Sequence, residues 1–241
     1  MAAPRIYSRQ AMAAGQSLEL DEAAARHVGL VLRMKAEEPL ILFNGEGGYF
    51  SAQITQASKR SVTVQLLEFF PDSRESPLKV HLAQSISKGD RMDYAVQKAT
   101  ELGVTEITPV YSEHGDVRLK GERAEKKQQH WQQIAISACE QCQRNTVPVI
   151  HPAISLQDWL AQTEADLKLV LHHRTEQRLE GYAQPETVAL LIGPEGGLSA
   201  SEITQAEQHQ FKALALGPRV LRTETAPVVA LSVLNYCWGD F

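Results

Sequence analysis

The stretch Ile192-Gly-Pro-Glu-Gly-Gly-Leu-Ser-Ala-Ser-Glu202 follows four apolar residues, Val188 to Leu191, and precedes a run with helical spacing. A turn at the carboxyl end of a buried parallel strand is where open α/β sheets place their ligands. Glycine there lets the backbone take positive φ and approach a ligand closely, and it leaves amide N–H groups free to donate. Ser199 and Glu202 have the capping-box spacing, so a helix is expected from about residue 200. The plain alternative is an ordinary tight strand-to-helix connection. The loop is not a P-loop, since no Gly-Lys-Ser/Thr follows, and it lacks the G-x-G-x-x-G of a Rossmann turn.

A second loop, LALGPRVLRTETAP (214–227), again ends an apolar strand with Gly-Pro. It presents Arg219, Arg222, Thr223, Glu224 and Thr225 ahead of the apolar tail APVVALSVLNYCW. Thr225 suits an N-cap and Pro227 the first helical turn. The tail reads as a helix buried on most sides. Two glycine-bearing loops that each follow a sheet strand could together wall a pocket for an adenosine-containing cofactor.

Outward from these loops, apolar strands alternate with helical periods, which favours a parallel sheet covered by helices. KVHLAQSI (79–86), TEITPVYS, LKLVLHH, VALLIG and FKALALG read as strands. Met92, Ala95, Val96, Ala99 and Leu102 lie at helical spacing with Gly103 as the stop, and residues 122–144 read as a long helix. Before the prolines of PDSRESP (71–77), a linker composition, the rhythm differs. Residues 38–68 alternate in short apolar runs separated by NGEGG and ASKRS, an antiparallel β pattern, and DEAAARHVGLVLR reads as a short helix opened by Asp21. The expected division is a small β-barrel over 1–70, a linker over 71–77 and an α/β domain over 78–241.

The 241 residues, 43% of them hydrophobic, suffice for a real core. No apolar run reaches the length of a membrane span, and MAAPRIYSRQ lacks the apolar core of a secretory signal, so a cytoplasmic protein with no membrane partner is expected. Three cysteines, Cys139, Cys142 and Cys237, fit a reducing compartment, and the C-x-x-C of the first two, inside a helical run with no second pair, reads as structural. The net charge of -5 argues against nucleic-acid binding over the whole surface. Residues 1–70 are neutral, with 7 Lys/Arg against 7 Asp/Glu, which leaves room for a local basic face.

IGPEGGLSASE, LGPRVLRTETA, SKGDRMDYAVQKATELGV (87–104), SEH (112–114), EQCQRNTVP (140–148), HVGLVLR (27–33) and the pair Arg5 and Tyr7 resemble the ribosomal RNA small subunit methyltransferase E family, of the SPOUT class. The resemblance runs nearly end to end. It implies a PUA-like RNA-binding β-barrel, then an α/β domain whose C-terminal segment forms a deep trefoil knot, a rare exception to chain topology. It also implies a homodimer, S-adenosylmethionine as methyl donor, and methylation at N3 of one uridine in the decoding region of 16S rRNA, with free rRNA and the 30S subunit both open as substrate. Where the family pattern leads one to expect glycine after EQC, this chain has Gln143.

By the same resemblance the cofactor lies against Leu171, then Ile192, Gly193, Pro194, Glu195, Gly196 and Gly197, and then Leu216, Gly217, Leu221, Thr223, Thr225 and Ala226. Uridine N3 becomes nucleophilic only when its proton leaves, so the enzyme needs a positioned base or a cation near O2 or O4. The sulfonium already activates the methyl group, alignment supplies much of the remaining barrier, and no metal is required. Arg222 is the candidate cation, the alternative being a phosphate-binding or ion-paired arginine. Glu224 is the candidate base, unless it orients Arg222 or caps the helix. Glu195 either balances the sulfonium or faces solvent. Arg5, Arg9, His27, Arg33, Lys59 and Arg60 offer charge to RNA, Arg5 and Arg33 foremost, with Tyr7 for stacking. His114 and Arg144 are further RNA candidates, while His172 and His173 read as structural. Two other functions stay open: a SPOUT enzyme acting on a ribose 2′-hydroxyl, and a non-catalytic RNA-binding assembly factor.

Overall fold

The computed structural model describes residues 3–172, 179 and 181–241. His173 lies outside the described residues. The chain divides into two compact units, one running to Glu75 and taking in Cys139–Val147, the other comprising Ser76–Ala138 and Pro148–Phe241.

In the first unit, β1 (Arg5–Tyr7), β2 (Ser17–Glu19), β3 (Pro39–Phe43), β4 (Tyr49–Ala57) and β5 (Val62–Phe70) make one sheet in the order β1-β3-β4-β5-β2. The expected antiparallel pairing holds throughout except that β1 runs parallel to β3. Alternation along β5, with Val62, Val64 and Leu66 fully buried, sends one face to a core shared with Ile6, Leu40, Leu42 and Ile54. Each such side chain contributes about 1.5–3 kcal/mol by leaving water. Asp21 caps α1 (Glu22–Arg26) as anticipated, accepting from the Ala24 amide at 3.0 Å. The helix expected through Arg33 does not stay α-helical: a π-helical turn follows over His27–Val31, and Arg33 takes a left-handed φ of 56°. Within that turn Gly29 packs closely, and a Cβ there would stand 2.1 Å from the Ser58 carbonyl oxygen.

In the second unit, β6 (Lys79–Ser85), β7 (Glu106–Tyr111), β8 (Val149–Ile150), β9 (Ile154–Ser155), β10 (Leu167–Leu171), β11 (Thr187–Ile192) and β12 (Lys212–Leu214) form an all-parallel sheet. Its order is β12-β10-β11-β6-β7-β8, with β9 also on β7. The chain builds outward from β6 to β8 and then returns to the other side through β10 and β11, so strand order reverses between β6 and β11. The helices are α2 (Asp90–Glu101), α3 (Glu122–Cys142, whose last four residues belong to the first unit), α4 (Leu156–Gln162), α5 (Ala200–Gln208) and α6 (Thr225–Trp238). Met92, Val96 and Ala99 of α2 share a core with Ala230, Leu231 and Leu234 of α6 on one sheet face. Trp159 and Leu160 of α4 with Ala206 of α5 cover the other. Burial on both faces explains the near-continuous apolar run of β11.

Two expectations need correction. The tail helix α6 is apolar all round but buries one face only: Tyr236 is 78% exposed and Cys237 is exposed as well. Its N-cap is Glu224 rather than Thr225, and no side chain caps it, because the turn closes through backbone bonds from Thr225 and Ala226 N–H to the Arg222 carbonyl, both 2.9 Å. Among the described residues no helix is long and apolar enough to cross a membrane.

Candidate functional site

The second unit holds a cavity of about 1070 Å³ at the carboxyl ends of β10, β11 and β12. It therefore lies beside the reversal of strand order, where open α/β sheets gather ligands. Leu171, Ile192 and the whole turn from Gly193 to Gly197 line it, and so do Leu216, Gly217, Leu221, Thr223 and Ala226. Of the anticipated cofactor set, Thr225 alone is absent from the wall, since it opens α6 behind Arg222 and Glu224, which both line it.

The glycine turn is shaped by contact. A Cβ on Gly193 would stand 2.9 Å from Leu198 Cγ, so the turn folds onto its own leucine only without a side chain there. Ser199 and Glu202 complete a full capping box: the Glu202 amide donates to Ser199 Oγ at 3.2 Å, and the Ser199 amide to Glu202 Oε2 at 2.9 Å. Glu202 is 8% exposed, and its second oxygen accepts from the Glu113 amide at 2.7 Å. His114 Nδ1 lies 3.0 Å from the Gly197 carbonyl and so donates to it. The SEH segment thus braces the turn, and His114, anticipated at the RNA, borders the cavity.

The two glycine-bearing loops are joined by a buried side chain. Thr223, 4% exposed, donates its hydroxyl to the Gly193 carbonyl at 3.0 Å and accepts from Gln84 Nε2 at 3.0 Å. Gln84, next to last in β6, lies opposite Ile192 in register and is fully buried, with its Oε1 lacking a hydrogen-bond partner. Glu195, on the cavity wall, pairs with Arg91 Nη1 of α2, another lining residue, at 2.8 Å. Arg222 is exposed, and no ion pair joins it to Glu224 among the described residues. Glu224 Oε2 is buried and has no hydrogen-bond partner. A buried carboxylate oxygen without a donor is costly, and a ligand carrying N–H groups or positive charge relieves it. His172 also borders the cavity.

Sequence reading missed Arg91 and Gln84. Arg91 sits inside SKGDRMDY without any pattern that assigns it a partner 104 residues away. Gln84 carried a usable signal, a polar residue near the end of an otherwise apolar buried strand.

In the first unit, Arg9, Arg33, Lys59 and Arg60 are exposed. The approach of Gly29 to Ser58 sets the turn of Lys59 and Arg60 beside the segment ending in Arg33. His27 is half-buried, its Nδ1 3.9 Å from Glu140 Oε2, and the Tyr7 amide donates to Glu140 Oε1 at 3.0 Å. Burial raises the Glu140 carboxyl above its ordinary range, against the pull of those two partners. The Tyr7 ring tilts against Phe43 at 5.5 Å. Arg5 is turned inward: it donates to Asn145 Oδ1, and its Cζ lies 4.9 Å from the centre of the Tyr49 ring. Burial lowers its basicity below the usual arginine value. Arg144 is not at the surface as anticipated. It is 3% exposed, with Nε 3.1 Å from Glu75 Oε1 and Nη2 on Glu75 Oε2, a forked pair that fixes it inside the unit. Cys139 is buried, its thiol pushed up to about 12 by desolvation, and none of the three cysteines is in a disulfide.

Two family descriptions match the chain: an RNA methyltransferase PUA domain over residues 20–67 and an RNA methyltransferase domain over residues 74–235. A ribosomal RNA small subunit methyltransferase E of Buchnera aphidicola is 36% identical over 239 residues, covering 98% of this chain and 97% of its own. A proposed methyltransferase of Legionella pneumophila, solved with bound cofactor SAM, is 46% identical with a TM-score of 0.97 over 100% of both chains. A ribosomal RNA small subunit methyltransferase E of Neisseria gonorrhoeae, solved with S-adenosyl methionine, is 40% identical with a TM-score of 0.94, again over 100% of both chains.

Proposed function

Since the chain belongs to the ribosomal RNA small subunit methyltransferase E family, we propose that it transfers a methyl group from S-adenosylmethionine to N3 of one uridine in the decoding region of 16S rRNA. As a member it is an S-adenosylmethionine-dependent rRNA methyltransferase, working in the cytoplasm, on rRNA within the 30S subunit, as a homodimer. The second unit is a SPOUT domain whose C-terminal segment is threaded through a loop as a deep trefoil knot. The hydrogen bond from Thr223 to the Gly193 carbonyl supports that reading, as does the cavity between those loops. Residues 1–70 serve as the RNA-binding barrel, 71–77 as the link and 78–241 as the methyltransferase domain. Exposed Val220, Tyr236 and Phe241 supply apolar surface for a second copy.

The single observation that carries the mechanism is the unpartnered, buried Glu224 oxygen in the cavity wall next to exposed Arg222. S-adenosylmethionine, when bound, supplies an electrophilic methyl group on a positively charged sulfur. Leu171, Ile192, Leu216 and Leu221 give the cavity the apolar surface an adenosine needs, and the 193–197 turn gives it backbone close enough to touch. Glu224 accepts the N3 proton of the uridine, and the Arg222 guanidinium stabilises the negative charge that spreads onto the ring oxygens. Arg91 holds Glu195, and with it the turn, in place. Arg9, Arg33, Lys59 and Arg60 attract RNA phosphates.

The test is transfer of labelled methyl from S-adenosylmethionine to 30S subunits from cells lacking this modification, followed by nucleoside analysis. N3-methyluridine is the expected product. A ribose-methylated nucleoside would move the acceptor to a 2′-hydroxyl, and no label would leave a binding protein.

A further inference from the structure

At the opposite ends of the strands from the cavity, His81, Glu106 and His151 converge. His81 of β6 and Glu106, the first residue of β7, are register partners. His151 directly follows β8, its amide bonded to the Ile107 carbonyl at 2.9 Å. Three neighbouring parallel strands thus deliver two imidazoles and one carboxylate to one place, and one donor atom from each lies within 4.8 Å of the others. A second cavity, of about 320 Å³, opens beside them, with Glu164 and Gln162 on its wall.

His81 is held ready as a ligand. The Trp159 indole N–H is directed at its Nε2 at 3.4 Å, and Thr108 Oγ1 stands 2.7 Å from the same atom. An N–H donor can face that nitrogen only if it presents its lone pair, so the ring is neutral with its other nitrogen protonated. His151 Nε2 is 2.7 Å from Glu106 Oε2, and the two side chains are 36% and 45% exposed, so both can turn.

We propose that His81, Glu106 and His151 bind a borderline divalent transition metal ion of the zinc class through two imidazole nitrogens and one carboxylate oxygen. Two nitrogens with one oxygen suit zinc, cobalt or nickel, whereas magnesium and calcium take oxygen sets. Ligands about 2 Å from a tetrahedral ion lie roughly 3.3 Å apart, so the widest donor pair must close by on the order of 1 Å while His151 Nε2 and Glu106 Oε2, now 2.7 Å apart, open slightly. His81 gives up the Trp159 N–H and turns that Nε2 lone pair to the ion, Glu106 and His151 move, and water from the cavity takes the fourth position. The ion would displace the Thr108 hydrogen bond and the direct contact of His151 with Glu106. Its role is to fasten the margin formed by β6, β7 and β8. It takes no part in methyl transfer, because β6 meets the cavity loops at its other end, where Gln84 bonds the cavity-lining Thr223.

The experiment is a titration of the full-length, chelator-treated protein with Co²⁺ alone near neutral pH, followed by displacement with Zn²⁺. One Co²⁺ per chain is expected, with visible bands of nitrogen and oxygen ligation and no thiolate charge-transfer band from Cys142 or Cys237. Glu106→Gln and His151→Ala change half-exposed side chains and should fold. Each should weaken binding by more than about ten-fold, the loss that even an outer-shell change causes. Zinc should raise the melting temperature of wild type in a concentration-dependent way and leave that of Glu106→Gln unmoved. No binding, a thiolate spectrum, or binding indifferent to both substitutions would each overturn the proposal.

Discussion

Thr223 donates its hydroxyl to the carbonyl oxygen of Gly193 across 3.0 Å and thirty residues of chain, so one buried hydrogen bond ties together the two loops that wall the cavity. Gln84 Nε2 completes the link from the end of β6, again at 3.0 Å. The substitution Thr223→Val keeps the shape and removes both bonds. It leaves the Gly193 carbonyl without its Thr223 donor and the Gln84 amide with only its longer 3.4 Å bonds to the Ser85 and Thr223 carbonyls, at a cost of about 1–3 kcal/mol. Urea denaturation should show that loss, and calorimetric titration should show S-adenosylmethionine bound about ten-fold more weakly, by the 1.4 kcal/mol arithmetic. Unchanged affinity in a destabilised protein would mean that the bond serves folding alone.

Gln143 takes a φ of +69° directly after α3. A side chain in that region costs roughly 1 kcal/mol, and a helix of this kind ordinarily ends on glycine there. Gln143→Gly should raise the urea midpoint by a stability gain of about 0.5–1 kcal/mol, the larger freedom of the unfolded glycine offsetting part of the relief. A lower midpoint would show that the glutamine side chain makes a compensating contact.

Arg144 and Glu75 form a pair whose side chains are 4% and 23% exposed. Removing one partner leaves the other charge buried, so Glu75→Gln should destabilise by about 3–5 kcal/mol, and the double change Glu75→Leu, Arg144→Met by much less. RNA affinity of the folded double variant should match wild type in a filter-binding assay. A selective loss of RNA binding would restore the arginine to the RNA surface.

Cys139 has its thiol pushed up to about 12 by burial. Its folded value lies above its unfolded one, so the associated stability is fully present below the unfolded thiol range and is lost as pH rises towards 12. Near pH 8 only ~10⁻⁴ of such a thiol is thiolate. Native-state alkylation followed by peptide mapping should therefore label exposed Cys237 long before Cys139, and Cys139→Ala should flatten the alkaline fall in the urea midpoint. Rapid labelling of Cys139 in folded protein would contradict its burial.

Period and punctuation made much of this molecule legible. The alternation in 38–68 and the strand-helix rhythm after residue 78 gave the two kinds of sheet, because each follows from which faces are covered. The capping box at Ser199 was readable since it depends on two residues three apart. Two short strands and a short helix, Val149–Ile150, Ile154–Ser155 and Leu156–Gln162, escaped notice because two-residue strands have no period. Arg144 misled for a different reason. An arginine looks alike in sequence whether it faces phosphate or a glutamate 69 residues earlier, and only the fold brings Glu75 to it. Arg91 with Glu195 and Gln84 with Thr223 are long-range pairs of the same kind.

The central claim is that Arg222 and Glu224 turn a uridine N3 into a nucleophile beside the cofactor cavity. Single-turnover methyl transfer to 30S subunits lacking the modification, comparing wild type with Arg222→Ala and Glu224→Gln, tests it most directly. Wild type should make N3-methyluridine, and each variant should bind S-adenosylmethionine yet transfer about 10²–10³ more slowly, the scale of one lost charge-stabilising or proton-accepting group. Wild type making no N3-methyluridine on competent subunits, or both variants transferring at the wild-type rate, would contradict the account.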